Sequence, residues 1–166
     1  LSLNDGKLPD DWRKSTVTAV LKKGNKSSVS NYRPISLTSI PCKIMESIIR
    51  DHIVEHFNRN KLFSNKQFGF IKGRSTVLQM LNVLDKWTAA FEIEGGCIDA
   101  IYTDFEKAFD KVPHKRLLSK LRAYGISEDI VNWIEQFLCF RNHRVKVNGK
   151  YSLWHKVLSG IGPTTR

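Results

Sequence analysis

Apolar residues in this chain recur at helical spacing in some stretches and run unbroken in others. Ile44, Met45, Ile48, Ile49, Ile53 and Phe57 share one helical face, which predicts a helix over 42–58 with that face in the core. Val77, Met80, Leu81, Leu84, Trp87 and Phe91 repeat the pattern and predict a second core-facing helix over 75–91. Val17-Thr18-Ala19-Val20-Leu21 lacks that period and reads as a short buried strand. Residues 22–28 follow as a basic, flexible turn. Residues 31–37 return as an extended segment, because Pro34 disfavours helical backbone at Arg33.

Gly95-Gly96 closes the second helix, and residues 97–103 then read as a largely buried strand. Residues 114–124 predict a short helix ended by Gly125. Ser127 is placed to cap another, with Glu128 and Asp129 in its first turn and Ile130, Val131, Ile134, Phe137 and Leu138 as its buried face. Arg144–Val147 and Ser152–Leu158 flank Asn148-Gly149, a strong hairpin signal. The expected class is mixed α/β (α+β), with helices packed on a small sheet.

Charge changes the picture once it is divided along the chain. The net charge is +11, yet residues 81–120 carry six Lys/Arg against seven acids, while each flanking segment carries seven against three. A general basic excess suits a polyanion such as nucleic acid, or simply a soluble basic surface. No apolar run approaches the roughly 18 residues of a spanning helix, so no membrane partner is expected. Cys42, Cys97 and Cys139 are far apart and lack zinc-ligand spacing. They read as reduced, mostly buried thiols of an intracellular protein, nuclear or cytoplasmic rather than secreted. The start, from Leu1, lacks both a signal peptide and an initiating Met, which suggests a piece of a longer polypeptide.

The acidic segment holds the candidate chemistry. A hydrophobic strand delivers Asp104 at its carboxyl end, where a rigid element fixes a functional group. A carboxylate there, in an otherwise basic protein, suits Mg²⁺ beside a phosphate chain. Taken alone, an aspartate at a strand end is more often a turn or cap residue, and both readings stand at this point.

The run Asp104-Phe105-Glu106-Lys107-Ala108-Phe109-Asp110-Lys111-Val112-Pro113-His114 closely resembles the first catalytic motif of non-LTR retrotransposon (LINE-type) reverse transcriptases. Three further resemblances appear in family order. Asn31-Tyr32-Arg33-Pro34-Ile35-Ser36-Leu37, with Lys43 and Glu46, resembles a fingers motif. Gln67-Phe68-Gly69-Phe70, with Gly73-Arg74-Ser75, resembles the next fingers block. Gly125-Ile126, Trp133, Phe137-Leu138 and Arg141 resemble the palm segment after the catalytic motif. The resemblance runs from about Pro9 to Gly160 and implies a right-hand polymerase: fingers over about 1–95, part of the palm over about 96–166, and a mostly antiparallel sheet.

The resemblance also implies roles. Asp104 binds both catalytic Mg²⁺ ions, and the backbone carbonyl of Phe105 ligates the nucleotide-bound one. Phe109 is the steric gate, a flat apolar ring that leaves neither room nor a partner for a ribose 2′-hydroxyl. Lys22 and Arg33 hold the incoming triphosphate, although Lys23 fits the same role by a one-residue shift. Each has a plainer alternative: Arg33 as a loop charge, Phe109 as core, Arg74 on template phosphate or facing water. Asp110 reads as a turn-fixing residue more than a ligand, and the Lys111–Lys120 cations as a solvated helix face. The partners implied are an RNA template, a DNA primer and dNTPs.

The pattern then departs from the family. A two-metal site needs several carboxylates, which the family draws partly from a later Tyr/Phe-x-Asp-Asp hairpin. The one Asp-Asp pair here, Asp10-Asp11, comes too early, and after Asp110 the acids are Glu128, Asp129 and Glu135, all on a predicted helix. Ser159-Gly160-Ile161 resembles the start of the next motif, but Gly162-Pro163-Thr164-Thr165-Arg166 replaces its Pro-Gln-Gly. The expectation is a truncated polymerase domain without activity of its own; the rival is a non-catalytic nucleic-acid-binding remnant.

Overall fold

The computed structural model of the chain describes residues 2, 3 and 6–161. Its main elements are β1 (Lys14–Leu21), β2 (Tyr32–Leu37), α1 (Ile40–Arg59), α2 (Thr76–Phe91), α3 (His114–Ala123), α4 (Glu128–Cys139), β3 (Asn142–Val147), β4 (Lys150–Tyr151) and β5 (His155–Lys156). They divide into two compact units. One comprises Leu1–His56 with Glu106–Arg166, and the other Phe57–Phe105. The departure from the family pattern at Gly162 lies outside the described residues. No helix among the described residues is long and apolar enough to cross a membrane.

In the first unit the sheet runs β2-β1-β3-β4, with β5 also paired to β3. β1 pairs antiparallel with β2 and parallel with β3, and the remaining pairings are antiparallel. The class is therefore the expected α+β. Asn148 and Gly149 both take positive φ, 48° and 77°, in a two-residue turn that sets Val147 opposite Lys150. This is the backbone that Asn-Gly favours, because its twist matches that of the strands it joins.

The core gathers on α4. Ile130, Val131, Trp133, Phe137 and Leu138 are buried, with Leu118 of α3, Ile49 of α1, Leu8 and Ile126. Trp133 stacks on Phe137 at 5.4 Å. Gly125, at φ +79°, ends α3: its N–H donates to the Arg122 carbonyl at 2.9 Å, and that of Ile126 to Leu121 at 3.1 Å. This paired return of the chain satisfies carbonyls the helix leaves open and tucks Ile126 inward. Ser127 occupies the position before α4, but its hydroxyl accepts no helix N–H; Arg122 instead grips Glu128 at 2.7 Å.

Several expectations from the apolar pattern are corrected. β1 forms, yet Val20 and Leu21 are exposed, so 17–21 is not a buried strand. α1 forms, but Ile44 and Ile48 face outward while Ile49 is buried. α2 forms with Ser75 capping the Leu78 N–H at 3.2 Å. Its stripe nevertheless has Val77, Met80, Leu81, Leu84 and Phe91 all more than half exposed. The unit Phe57–Phe105 contains one full helix and no strand among its described residues, so that stripe has no layer of its own unit to pack against. Residues 97–103 form no strand, because no ladder among the described residues includes them; an extended segment needs an edge to pair with. Of the cysteines, Cys42 is buried, whereas Cys97 and Cys139 are exposed.

Candidate nucleotide and nucleic-acid site

The β1–β2 hairpin fixes two of the candidate cations. Val20 stands opposite Arg33, and the Lys22 N–H carries the ladder one step further by donating to the Asn31 carbonyl at 2.8 Å. Directly opposed residues share a face, and so do residues two apart. Lys22 and Arg33 therefore share one face of the hairpin, whereas Lys23 lies past the ladder, in the bend that opens the turn. Both cations are exposed. The intervening turn is internally braced: Asn31 Nδ2 donates to the Asn25 carbonyl at 2.9 Å, and the Tyr32 hydroxyl to the Lys26 carbonyl at 2.8 Å. Gly24, at φ +82°, lies where a Cβ would come within 2.7 Å of Asn31 Nδ2.

Asp104 sits in an irregular, exposed stretch, and the flanking Ile101, Tyr102 and Phe105 are each more than four-fifths exposed. The division between the two units falls between Phe105 and Glu106. Asp104, Phe105 and Arg74 thus belong to the second unit, and Lys22, Arg33 and Phe109 to the first. The structure brings Lys22 and Arg33 together. It does not gather the whole set within one unit.

The turn that follows Asp104 is closely held. Lys107 takes φ 51°, and its carbonyl accepts from Asp110 N–H at 3.0 Å and Lys111 N–H at 3.1 Å. Lys111 pairs with Glu106 at 2.6 Å, a hydrogen bond that holds the Glu106 carboxyl below its ordinary range. Ser159-Gly160-Ile161 lies across this turn. Ile161 N–H donates to the Phe109 carbonyl and Gly160 N–H to that of Val112, each at 3.1 Å. The Ser159 hydroxyl reaches the Asp110 carbonyl at 3.1 Å, and His114 Nε2 contacts the Gly160 carbonyl at 2.8 Å. The backbone carrying Phe109, itself about half exposed, is thereby fixed from the far end of the chain. Sequence reasoning placed both segments in motifs but missed this contact. The available signal was a glycine between Ser159 and Ile161, next to a motif rich in turn residues.

Arg74 is engaged within its own unit. Its Nη1 donates to the carbonyls of Ser64, at 2.8 Å, and Gln67, and its guanidinium lies over Phe68. It folds the 64–75 block into a loop that delivers Ser75 to the start of α2.

A buried charged cluster brings together two more motif residues. Arg141 is 5% exposed, stacks on Phe137 at 4.7 Å and donates to the Ile161 carbonyl at 3.4 Å. With Glu46 it lines a cavity of about 420 Å³ bounded by Ile49, Trp133 and Phe137. Burial pushes the Glu46 carboxyl up and lowers the Arg141 guanidinium, while each charge favours the charged form of the other. Cys42 donates to Glu46 at 3.4 Å, and burial first, then the Glu46 charge, pushes its thiol up to about 12.

No group of three or more His, Cys, Asp or Glu residues among the described residues is placed to hold a metal ion.

The family profile described as reverse transcriptase (RNA-dependent DNA polymerase) matches residues 20–161. The chain belongs to the reverse transcriptase family. Its relatives include a probable RNA-directed DNA polymerase from transposon BS of Drosophila melanogaster, 29% identical over 161 residues, covering 93% of this chain and 17% of that protein. The RNA-directed DNA polymerase from mobile element jockey of the same organism is 28% identical over 169 residues, covering 98% of the chain and 18% of that protein. A Pol polyprotein from the type-1 retrotransposable element R2 of Popillia japonica is 25% identical over 134 residues. The resemblance to the non-LTR lineage is therefore borne out. This reverse transcriptase segment spans under a fifth of the length of these relatives.

Proposed function

We propose that this chain is the fingers, about 1–95, and the first part of the palm, about 96–166, of an RNA-directed DNA polymerase of a non-LTR retrotransposon. The observation that carries the reading is the clamp of Ser159-Gly160-Ile161 on the turn after Asp104, since two motifs some 50 residues apart meet around Phe109. Lys22 and Arg33 hold the triphosphate of a dNTP, Phe109 gates its sugar, and Arg74 orders the loop beside α2. Asp104 and the Phe105 carbonyl contribute to a Mg²⁺ site that further carboxylates must complete, so no step of nucleotidyl transfer is assigned to these residues alone. RNA template and DNA primer are the macromolecular partners. The unpaired thiols suit an intracellular compartment, nuclear or cytoplasmic.

Primer extension on an RNA template with Mg²⁺ and dNTPs tests this. The 166-residue chain should bind template and dNTP but not extend the primer. Extension that disappears in Asp104→Ala would show that the chain completes its own metal site and would overturn the proposal.

A further inference from the structure

The hairpin after α4 is irregular in a way that builds a surface. Near its turn, Lys146 pairs with Tyr151 and Val147 with Lys150; further along, Asn142 pairs with Lys156 and His143 with His155. Arg144 and Val145 on β3 thus face three residues, Ser152, Leu153 and Trp154. One extra residue in the return strand makes a β-bulge. Ser152 seals it: its N–H donates to the Val145 carbonyl and its hydroxyl accepts from Val145 N–H, both at 2.9 Å.

The bulge re-phases the strand. Tyr151 and Trp154 are three residues apart and would point to opposite faces of a regular strand. Here both rings meet the same guanidinium, with Arg144 at 3.9 Å from the Tyr151 centroid and 4.7 Å from that of Trp154. Lys146 adds a second cation 5.5 Å from the Tyr151 ring. Both rings remain about half exposed. From Asn142 to Lys156 the chain carries Arg144, Lys146, Lys150 and Lys156 and no acid. Like charges gathered on one hairpin repel, and no carboxylate in the hairpin offsets them. Half-exposed aromatic rings, each with a cation on one side, beside charge that no carboxylate of the hairpin offsets are the two components of single-strand binding: bases stack on the rings, and phosphates meet the cations.

We propose that this bulged hairpin binds single-stranded nucleic acid, with bases stacked on Tyr151 and Trp154 and the backbone against Arg144 and Lys146, which share the face of Tyr151. The inference deepens the proposed function but rests only on its nucleic-acid-binding part. The test is fluorescence anisotropy of a labelled single-stranded RNA with the 166-residue chain, in EDTA and without nucleotide, so polymerase chemistry plays no part. Tyr151→Ala with Trp154→Ala should weaken binding about tenfold or more. Lys146→Ala should weaken it and reduce the salt dependence by about 0.7. Lys115→Ala on the exposed face of α3 should change neither. No saturable binding by the wild-type chain, or an aromatic double variant that stays folded and binds within about twofold of it, overturns the proposal. Photocrosslinking of 4-thiouridine RNA to the wild-type chain provides a second measurement that needs no variant. Crosslinks at Tyr151 or Trp154 support the surface, and crosslinks confined to other segments sink it. Primer extension by the chain would leave these outcomes untouched.

Discussion

Gly160 packs against the backbone of Asp110 so closely that a Cβ on Gly160 would lie 2.8 Å from both the Asp110 Cα and its carbonyl oxygen. The same Cβ would stand 2.9 Å from the Phe109 carbonyl oxygen, and Gly160 is held at φ +83°. Space and backbone conformation therefore select the same residue. Gly160→Ala should push the segment off the turn and destabilise the chain by more than about 1 kcal/mol. Chemical denaturation measures the loss, and hydrogen exchange locates it. The amides of Gly160 and Ile161 should lose protection before those of α4. An unchanged midpoint with unchanged protection would show that the two segments do not clamp each other.

The contrast between α4 and α2 makes a second prediction. Trp133 is 1% exposed and stacks on Phe137, whereas Leu84 on α2 is 52% exposed. Trp133→Ala removes a large ring from a packed core and should cost about 3–5 kcal/mol, enough to unfold much of a marginally stable domain. Leu84→Ala should stay within about 0.5 kcal/mol of the parent, as exposed substitutions do. Circular dichroism melts of the two variants distinguish them. Comparable losses would mean that the α2 stripe is buried in solution.

Local signals were legible where local chemistry decides the outcome. Asn148-Gly149 dictates its turn and Gly125 its helix end, because each acts through backbone conformation within a few residues; the cap expected at Ser127 does not form. The family and the α+β class were legible because motif wording survives in the chain. Burial was harder to read. The α1 and α2 stripes have the same spacing, yet Ile49 is buried and Leu81 is not, since periodicity shows which residues share a face and not what covers it. Residues 97–103 have strand composition, but a strand is made by its partner. The candidate site was half legible. Lys22 and Arg33 were named by the resemblance alone, and the hairpin register then sets them on one face, whereas the contact of Gly160 with Asp110 joins segments whose approach no local pattern encodes. Roles carried by resemblance alone remain tied to the proposed function.

Glu46 gives the chain a pH signature. Burial raises its carboxyl above the ordinary 4.5, outweighing the Cys42 hydrogen bond and the Arg141 and Lys43 charges, which all lower it. The folded chain thus keeps a proton to higher pH than the unfolded one. The stabilisation is complete below about pH 4.5 and is lost as pH rises through the folded value. Glu46→Gln removes the titration. Its denaturation midpoint should be flatter than the parent's from about pH 4.5 upward. Parallel pH profiles for the two proteins would show that Glu46 is charged in the folded state across that window.

Hairpin register separates Lys22 from Lys23, two residues that sequence alone leaves interchangeable. Lys23 lies past the ladder, in the bend that opens the turn, where no strand pairing fixes it beside Arg33. Lys22 shares its face with Arg33 through the Val20–Arg33 pair and the Lys22–Asn31 hydrogen bond, so these two cations can engage one triphosphate. Lys22→Ala should weaken binding of a fluorescent dNTP in Mg²⁺ by about tenfold, the scale of one charge-assisted hydrogen bond. Lys23→Ala should change it less than about twofold, because an ammonium outside the paired face contributes only screened long-range charge. Arg33→Lys should fall between them, retaining the charge while losing the planar fork that grips two oxygens at once. Equal losses from Lys22→Ala and Lys23→Ala would mean that the triphosphate is held by the turn's overall charge rather than by one face of the hairpin.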